Sequence, residues 1–200
     1  MPRARLLLTV WTLAGLVAAC GPDPAADLDR TALRAGWTQW VAARDSLFRS
    51  EVSPLVPEDL PGFDGIPYFD YDPAYAVPAV LVPSLTRDTV NFPTTTGALQ
   101  RHVTAGHLVF TLDGVQRRLE AFESVGDTRL FVPFRDATSG DATYGGGRYL
   151  DLELEPTGRY ALDLNRAYHP YCVYNVSYSC PLPPAENTMS TDVPAGERLP

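Results

Sequence analysis

The most constraining feature of the sequence is a dipeptide. In GHLVFTLDGVQRRLEAFES, Asp113-Gly114 sits between two runs of β-forming residues. Asp-Gly is what a two-residue hairpin turn of the type I′ class requires, because both central positions need a positive φ. Reading outward from the turn fixes a register, with Leu112 opposite Val115, Phe110 opposite Arg117 and Leu108 opposite Leu119. One face of the hairpin is then mostly apolar and has to be covered.

The same reading places further short strands near Ala76 to Val82, Leu130 to Phe134, Arg148 to Leu154 and Tyr160 to Leu164, each bounded by Gly, Pro or Asp. In RYLDLELEP, Leu150, Leu152 and Leu154 share one face, while Asp151, Glu153 and Glu155 share the other and read as its solvated side. One helix is expected, from about Thr31 to Arg49 with Asp29 as N-cap. Leu33, Trp37, Trp40, Val41, Leu47 and Phe48 recur there at helical spacing, so the stripe they form must lie on the body of the domain. SPLVPEDLPGFDGIPYFDYDPAYAV reads as an ordered irregular segment, and the tail from Asn187 as one last short strand at a sheet edge followed by a frayed end. These elements predict a mainly β (α+β) architecture, an N-terminal helix packed on an antiparallel sheet curled into a small barrel or sandwich. Roughly 180 residues suit one core, so residues 29–200 are read as a single β-rich domain.

The N-terminus carries a different message. MPRARLLLTVWTLAGLVAACG has Arg3 and Arg5 ahead of an apolar run that ends in small residues, the pattern of an export signal over residues 1–19. Its apolar run is too short for a spanning helix, which needs roughly 20 residues. Val17-Ala18-Ala19-Cys20 resembles the bacterial lipobox, which implies a diacylglycerol thioether on Cys20 and residues 20–28 as a tether to the membrane. With about 0.8 kcal/mol per buried methylene, two or more acyl chains anchor stably. Gly21 is not the aspartate that retains lipoproteins at the inner membrane, so the expected location in a Gram-negative cell is the periplasmic side of the outer membrane.

Cleavage would remove two arginines and no acid, taking the formal charge from −8 to −10 and arguing against a nucleic-acid partner. All 16 basic residues are arginine. Without a lysine, Schiff-base chemistry, a Walker phosphate loop and a serine-lysine dyad are excluded. Neither G-x-S-x-G nor H-E-x-x-H occurs, and no catalytic residue, cofactor or metal is assigned.

With Cys20 lipidated, Cys172 and Cys180 remain as a pair in DLNRAYHPYCVYNVSYSCPLPPAEN. Three states are open to them: a disulfide, which export favours, packed thiols, or a metal site with His169 and Asp163. The Gly145-Gly146-Gly147 run beside Arg148 could turn backbone amides toward an anion, although a tight turn before the next strand is the plainer reading. The expected function is binding of a small polar or anionic molecule where the loops around Arg135, Tyr144, Arg148, Asp163 and Asn165 converge. Two alternatives stand beside it, a hydrolase using Asp136 or Asp163 near Arg135 or Arg148, and a structural or assembly protein of the envelope.

WTQWVAARDSLFRSEVSPL, FDGIPYFDYDPAY, FVPFRDATSGDATYGGGRYLDL, the cysteine-bearing stretch and the late AGE together resemble the bacterial and archaeal family catalogued as domain of unknown function 1684, over about residues 37 to 197. The resemblance supplies a family without a mechanism. It also implies that the cysteine pair and the CPLPP run occur in members without export signals, which favours packed or ligand-facing thiols over an obligatory disulfide. His169 stands where the family pattern has asparagine, which weakens a histidine-centred site.

Overall fold

The structure, a computed structural model, describes residues 28–124 and 129–199. The export signal, Cys20 and nearly all of the expected tether lie outside the described residues. Helix α1 runs Arg30–Phe48, and the Asp29 carboxylate caps it by accepting from the backbone N–H of Thr31 at 3.0 Å and of Ala32 at 2.9 Å. Its aromatic stripe packs inward as expected. Trp37 and Trp40 both meet Tyr68 edge-on, and the fully buried Phe48 lies among Phe63, Tyr171 and Tyr174.

Seven strands follow: β1 (Ala76–Pro83), β2 (Thr89–Pro93), β3 (Leu99–Leu112), β4 (Val115–Ser124), β5 (Arg129–Phe134), β6 (Arg148–Glu153) and β7 (Arg159–Asp163). They form one antiparallel sheet ordered β6-β5-β4-β3-β1-β7, with β2 paired to β3 beside that path. The sheet is rolled nearly into a barrel. The β3–β4 hairpin has the expected register, Leu112 with Val115, Phe110 with Arg117 and Leu108 with Leu119. Not anticipated were β2 and the first half of β3, whose polar run LQRHVT lacks strand-like alternation.

A bulge explains that irregularity. The β3–β4 register shifts between Thr104 and Gly106, which leaves Ala105 as an extra residue. Because side chains alternate with period two, one extra residue reverses the facing of everything before it. Leu108, Phe110 and Leu112 therefore point into the barrel, whereas His102, also even-numbered, points out with Phe122 and Phe131. Gly106 permits the bulge, since at φ +150 a Cβ would stand 2.2 Å from the Val82 carbonyl oxygen.

Inside the barrel lie Leu108, Leu119, Leu130, Val132, Leu150 and Leu162, all fully or almost fully buried. The tail corrects an expectation. From Asn187 it forms no strand and does not fray; it runs across the barrel with single bridges at Thr188 and Glu197, burying Met189, Val193 and Ala195 in the core. Polar residues hold it there. The Asn187 amide accepts from Glu120 N–H and donates to the carbonyls of Glu120 and Pro133, acting as a piece of strand where β4 and β5 part.

Candidate functional site

Outside the barrel, the face of β3, β5 and β6 is covered by α1 on one side and by residues 168–181 on the other. Between them is a pocket of about 480 Å³. The sheet contributes Gln100 and His102 from β3, Arg129 and Phe131 from β5, and Tyr149 and Asp151 from β6. The helix supplies Trp40, Arg44 and Leu47, spaced so that all three look onto one side, and the covering loop adds Tyr168, Tyr171, Tyr178 and Cys180.

Arg44 is the fixed cation of this pocket. Its Nε donates to Oε1 of Glu197, and its guanidinium lies over the Tyr168 ring, 4.7 Å from the centroid, and near Trp40 at 5.4 Å. Burial alone would lower its pKa, but the Glu197 carboxylate outweighs burial and raises it. Among the described residues, Nη2 has no hydrogen-bond acceptor. Glu197 is fully buried behind it, and its Oε2 accepts from the His169 backbone N–H at 2.6 Å and from the Tyr174 hydroxyl at 3.1 Å. Burial raises its pKa, and Arg44 opposes that rise.

The remaining groups are flat faces, hydroxyl and guanidinium donors, and one carboxylate. Asp151 Oδ2 accepts from the Tyr168 hydroxyl at 2.8 Å and from Arg129 Nη1 at 3.3 Å. His102 is sandwiched between Phe92 and Phe131, ring centroids 4.8 and 5.1 Å away, and burial lowers its pKa, so it is a neutral imidazole at pH 7. Burial pushes the hydroxyls of Tyr149 and Tyr168 up, so both stay protonated. Burial also pushes the Cys180 thiol up to about 12, which leaves little of the thiolate and makes it a slow nucleophile. The arrangement is therefore suited to holding a molecule by hydrogen bonds and ring contacts.

The candidates read from sequence occupy other positions. Arg135 straps the glycine turn to the CPLPP run by donating to Gly145 O at 3.3 Å and Pro183 O at 3.2 Å. Gly147 at φ +96 closes that turn, donating to Tyr144 O at 2.9 Å. Arg148 is sealed in the barrel end with Asp136 at 2.8 Å. Asn165 pairs with Asp163 at 2.8 Å and clamps the backbone of Asp72 from both sides. Of these, Tyr144 and Arg135 come together with the cysteines: Cys172, Cys180 and Arg135 all lie near enough to the Tyr144 hydroxyl to act on it. None of Arg135, Tyr144, Arg148, Asp163 and Asn165 lines the aromatic pocket. Asp136 and Asp163 sit in separate hydrogen-bond networks.

Cys172 and Cys180 are adjacent free thiols, with the Cys172 backbone N–H donating to Cys180 Sγ at 3.2 Å. His169 is neutral, its pKa lowered to about 3 by burial and then by Arg148 and Arg44, and its Nε2 accepts from Tyr144 N–H at 3.2 Å. The family model described as "Protein of unknown function (DUF1684)" matches residues 61–198. The chain belongs to the DUF1684 family. The solution NMR structure of the uncharacterized protein from gene locus rrnAC0354 of Haloarcula marismortui is similar to it, with 42% identity and a TM-score of 0.67 over 84% of this chain and 97% of that one. No curated protein matches it.

Sequence reading missed the pocket of this DUF1684 chain for a definite reason. Asp151 was assigned with Glu153 and Glu155 to a solvated face, although Tyr149 on that same face marked it as covered. Trp40 and Arg44, one helical turn apart, were a second signal. His102 carried none, because the bulge decides its direction.

Proposed function

We propose that this chain is a lipid-anchored protein of the cell envelope whose domain binds a small polar or anionic molecule in the pocket between α1 and the outer sheet face. One observation carries the reading: two guanidiniums, of Arg44 and Arg129, meet protonated tyrosine hydroxyls and several ring faces at one concavity of about 480 Å³. That size falls within the roughly 300–1,000 Å³ of small-molecule sites. Guanidiniums grip planar anions through paired donors, while rings hold a flat face without regard to charge, so a carboxylate or phosphate ester of a ring compound fits both. Arg44 is pre-set for such a role by Glu197 and the rings under it, and a donor already in place loses little freedom on binding.

A thermal-shift screen of the full chain against carboxylates, phosphates, nucleosides and sugars is expected to yield stabilising compounds. Arg129→Ala should abolish their shifts, whereas Arg118→Ala, outside the pocket lining, should retain them. A screen with no stabilising compound, or shifts that survive Arg129→Ala, would overturn the reading. The anchor is tested separately. Labelled palmitate should enter the wild-type chain in its host and be lost in Cys20→Ser.

A further inference from the structure

We propose that Cys172 and Cys180 form a reversible intramolecular disulfide that fixes one wall of the pocket. The two thiols already meet: Cys180 Sγ is 3.2 Å from the Cys172 backbone nitrogen, and the two side chains are within hydrogen-bonding reach of each other. A disulfide needs the sulfurs about 2.0 Å and the Cβ atoms about 3.8 Å apart, so closing it asks for rotation of both side chains and a shift of the short loop between them. The flanks are held independently. The backbone of Cys180 is pinned to the β2–β3 turn, its N–H donating to Thr95 Oγ1 at 3.1 Å and its carbonyl accepting from Thr95 N–H at 2.9 Å. Cys172 follows Tyr171, which packs on Phe48 at the end of α1.

Between the cysteines the chain makes a loop whose middle is open to solvent, with Val176 89% exposed. Tyr171 and Tyr178 meet edge-on across the base of this loop, ring centroids 5.3 Å apart, and both line the pocket. A bond between the sulfurs therefore ties the helix side of the pocket rim to the β2–β3 side. The dithiol leaves the two sides joined only by hydrogen bonds and ring contacts.

The chemistry balances with a disulfide oxidant, small or protein-borne. Cys172, the half-buried member, loses its proton and attacks one oxidant sulfur, breaking that S–S bond and releasing one thiol. Cys180, buried and shielded from the oxidant, then attacks the mixed disulfide, expelling the second thiol and giving up its own proton. Two thiols are oxidised and one disulfide is reduced to two thiols. Burial, which keeps Cys180 protonated, makes the second step the slow one.

The consequence for the pocket rests on the ligand-binding reading, but the thiol chemistry is read without any ligand. The full chain is equilibrated in glutathione buffers of increasing oxidised-to-reduced ratio, quenched with an alkylating agent and weighed. Expected is loss of the Cys172 and Cys180 alkylation sites in one step, with two hydrogens lost and no glutathione retained on the segment that carries them, and an unfolding midpoint higher by roughly 5–10 °C. Cys172→Ser should show neither the mass change nor the higher midpoint. Persistence of both thiols at the most oxidising ratio, or a stable glutathione adduct on either cysteine, would sink the proposal. If the disulfide forms and Arg129→Ala leaves ligand shifts intact, only the pocket reading fails.

Discussion

Arg148 is among the largest side chains with almost no exposure, and its bonds show why a charge survives there. Its guanidinium donates to Asp136 at 2.8 Å and to the carbonyls of Val193, Ala195 and Glu197, tying β6 to the buried tail. Replacing a buried pair by apolar residues is often neutral, but here the carbonyls of Ala195 and Glu197 would be orphaned, at about 1–3 kcal/mol each, while that of Val193 keeps the Ala195 N–H. Arg148→Met is expected to cost about 3–5 kcal/mol by urea denaturation, and adding Asp136→Leu should not restore it. Full recovery in the double variant would show that the carbonyl bonds contribute nothing. His169 supplies a pH signature. Its folded pKa of about 3 lies below the 6.5 of a free imidazole, so on acidification through that window the unfolded chain binds a proton that the folded one refuses. The stability is present above about pH 6.5 and falls by about 1.4 kcal/mol per pH unit below it. Glu197, raised above 4.5, works in the opposite sense just above that value, where the folded form keeps a proton that the unfolded one releases. Equilibrium unfolding between about pH 6.5 and 5 should therefore show a positive slope that His169→Asn flattens; an unchanged slope would mean that His169 titrates normally.

The β3 bulge is the element on which the pocket depends. Gly106→Ala would drive a Cβ into the Val82 carbonyl at a φ that L-residues rarely adopt, so a cost of about 3 kcal/mol is expected from chemical denaturation, with ligand binding weakened because His102 and Gln100 are re-aimed. A cost below about 0.5 kcal/mol would show that the bulge relocates freely. This element also separates what the sequence made legible from what it did not. The hairpin beyond the bulge was readable because Asp-Gly fixes a turn and a turn fixes register. Strand β6 is legible as a strand but the cover on its outer face is not, since alternation reports two faces without reporting what packs on either. The tail reads as a frayed edge because the residues it buries, Met189, Val193 and Ala195, are few and stand beside Asn187 and Glu197, polar side chains whose burial composition does not announce. Among the site candidates, Arg135 and Tyr144 do gather with the cysteines, while Arg148, Asp163 and Asn165 are engaged in holding the fold together.

At the level of the molecule, the family match begins at residue 61, so α1 lies outside it, yet the pocket needs α1 for Trp40, Arg44 and Leu47. The barrel has prepared a place for the helix. Glu197, near the C-terminal end of the sequence, is fully buried and pairs with the guanidinium of Arg44, 153 residues earlier. A carboxylate left there alone would be an uncompensated buried charge, which costs several kcal/mol, so the helix docks by electrostatic necessity as well as by its aromatic stripe. A double-mutant cycle separates the two contributions. Arg44→Met should destabilise the full chain by about 3–5 kcal/mol, and Glu197→Gln by less, because a neutral amide can keep the bonds from His169 N–H and Tyr174. Combined, they should fall short of the sum by about 1–3 kcal/mol, since removing the carboxylate relieves the charge that Arg44→Met exposes. Strict additivity would mean that the aromatic stripe alone seats α1, and the pocket would then tolerate loss of Arg44 without loss of shape.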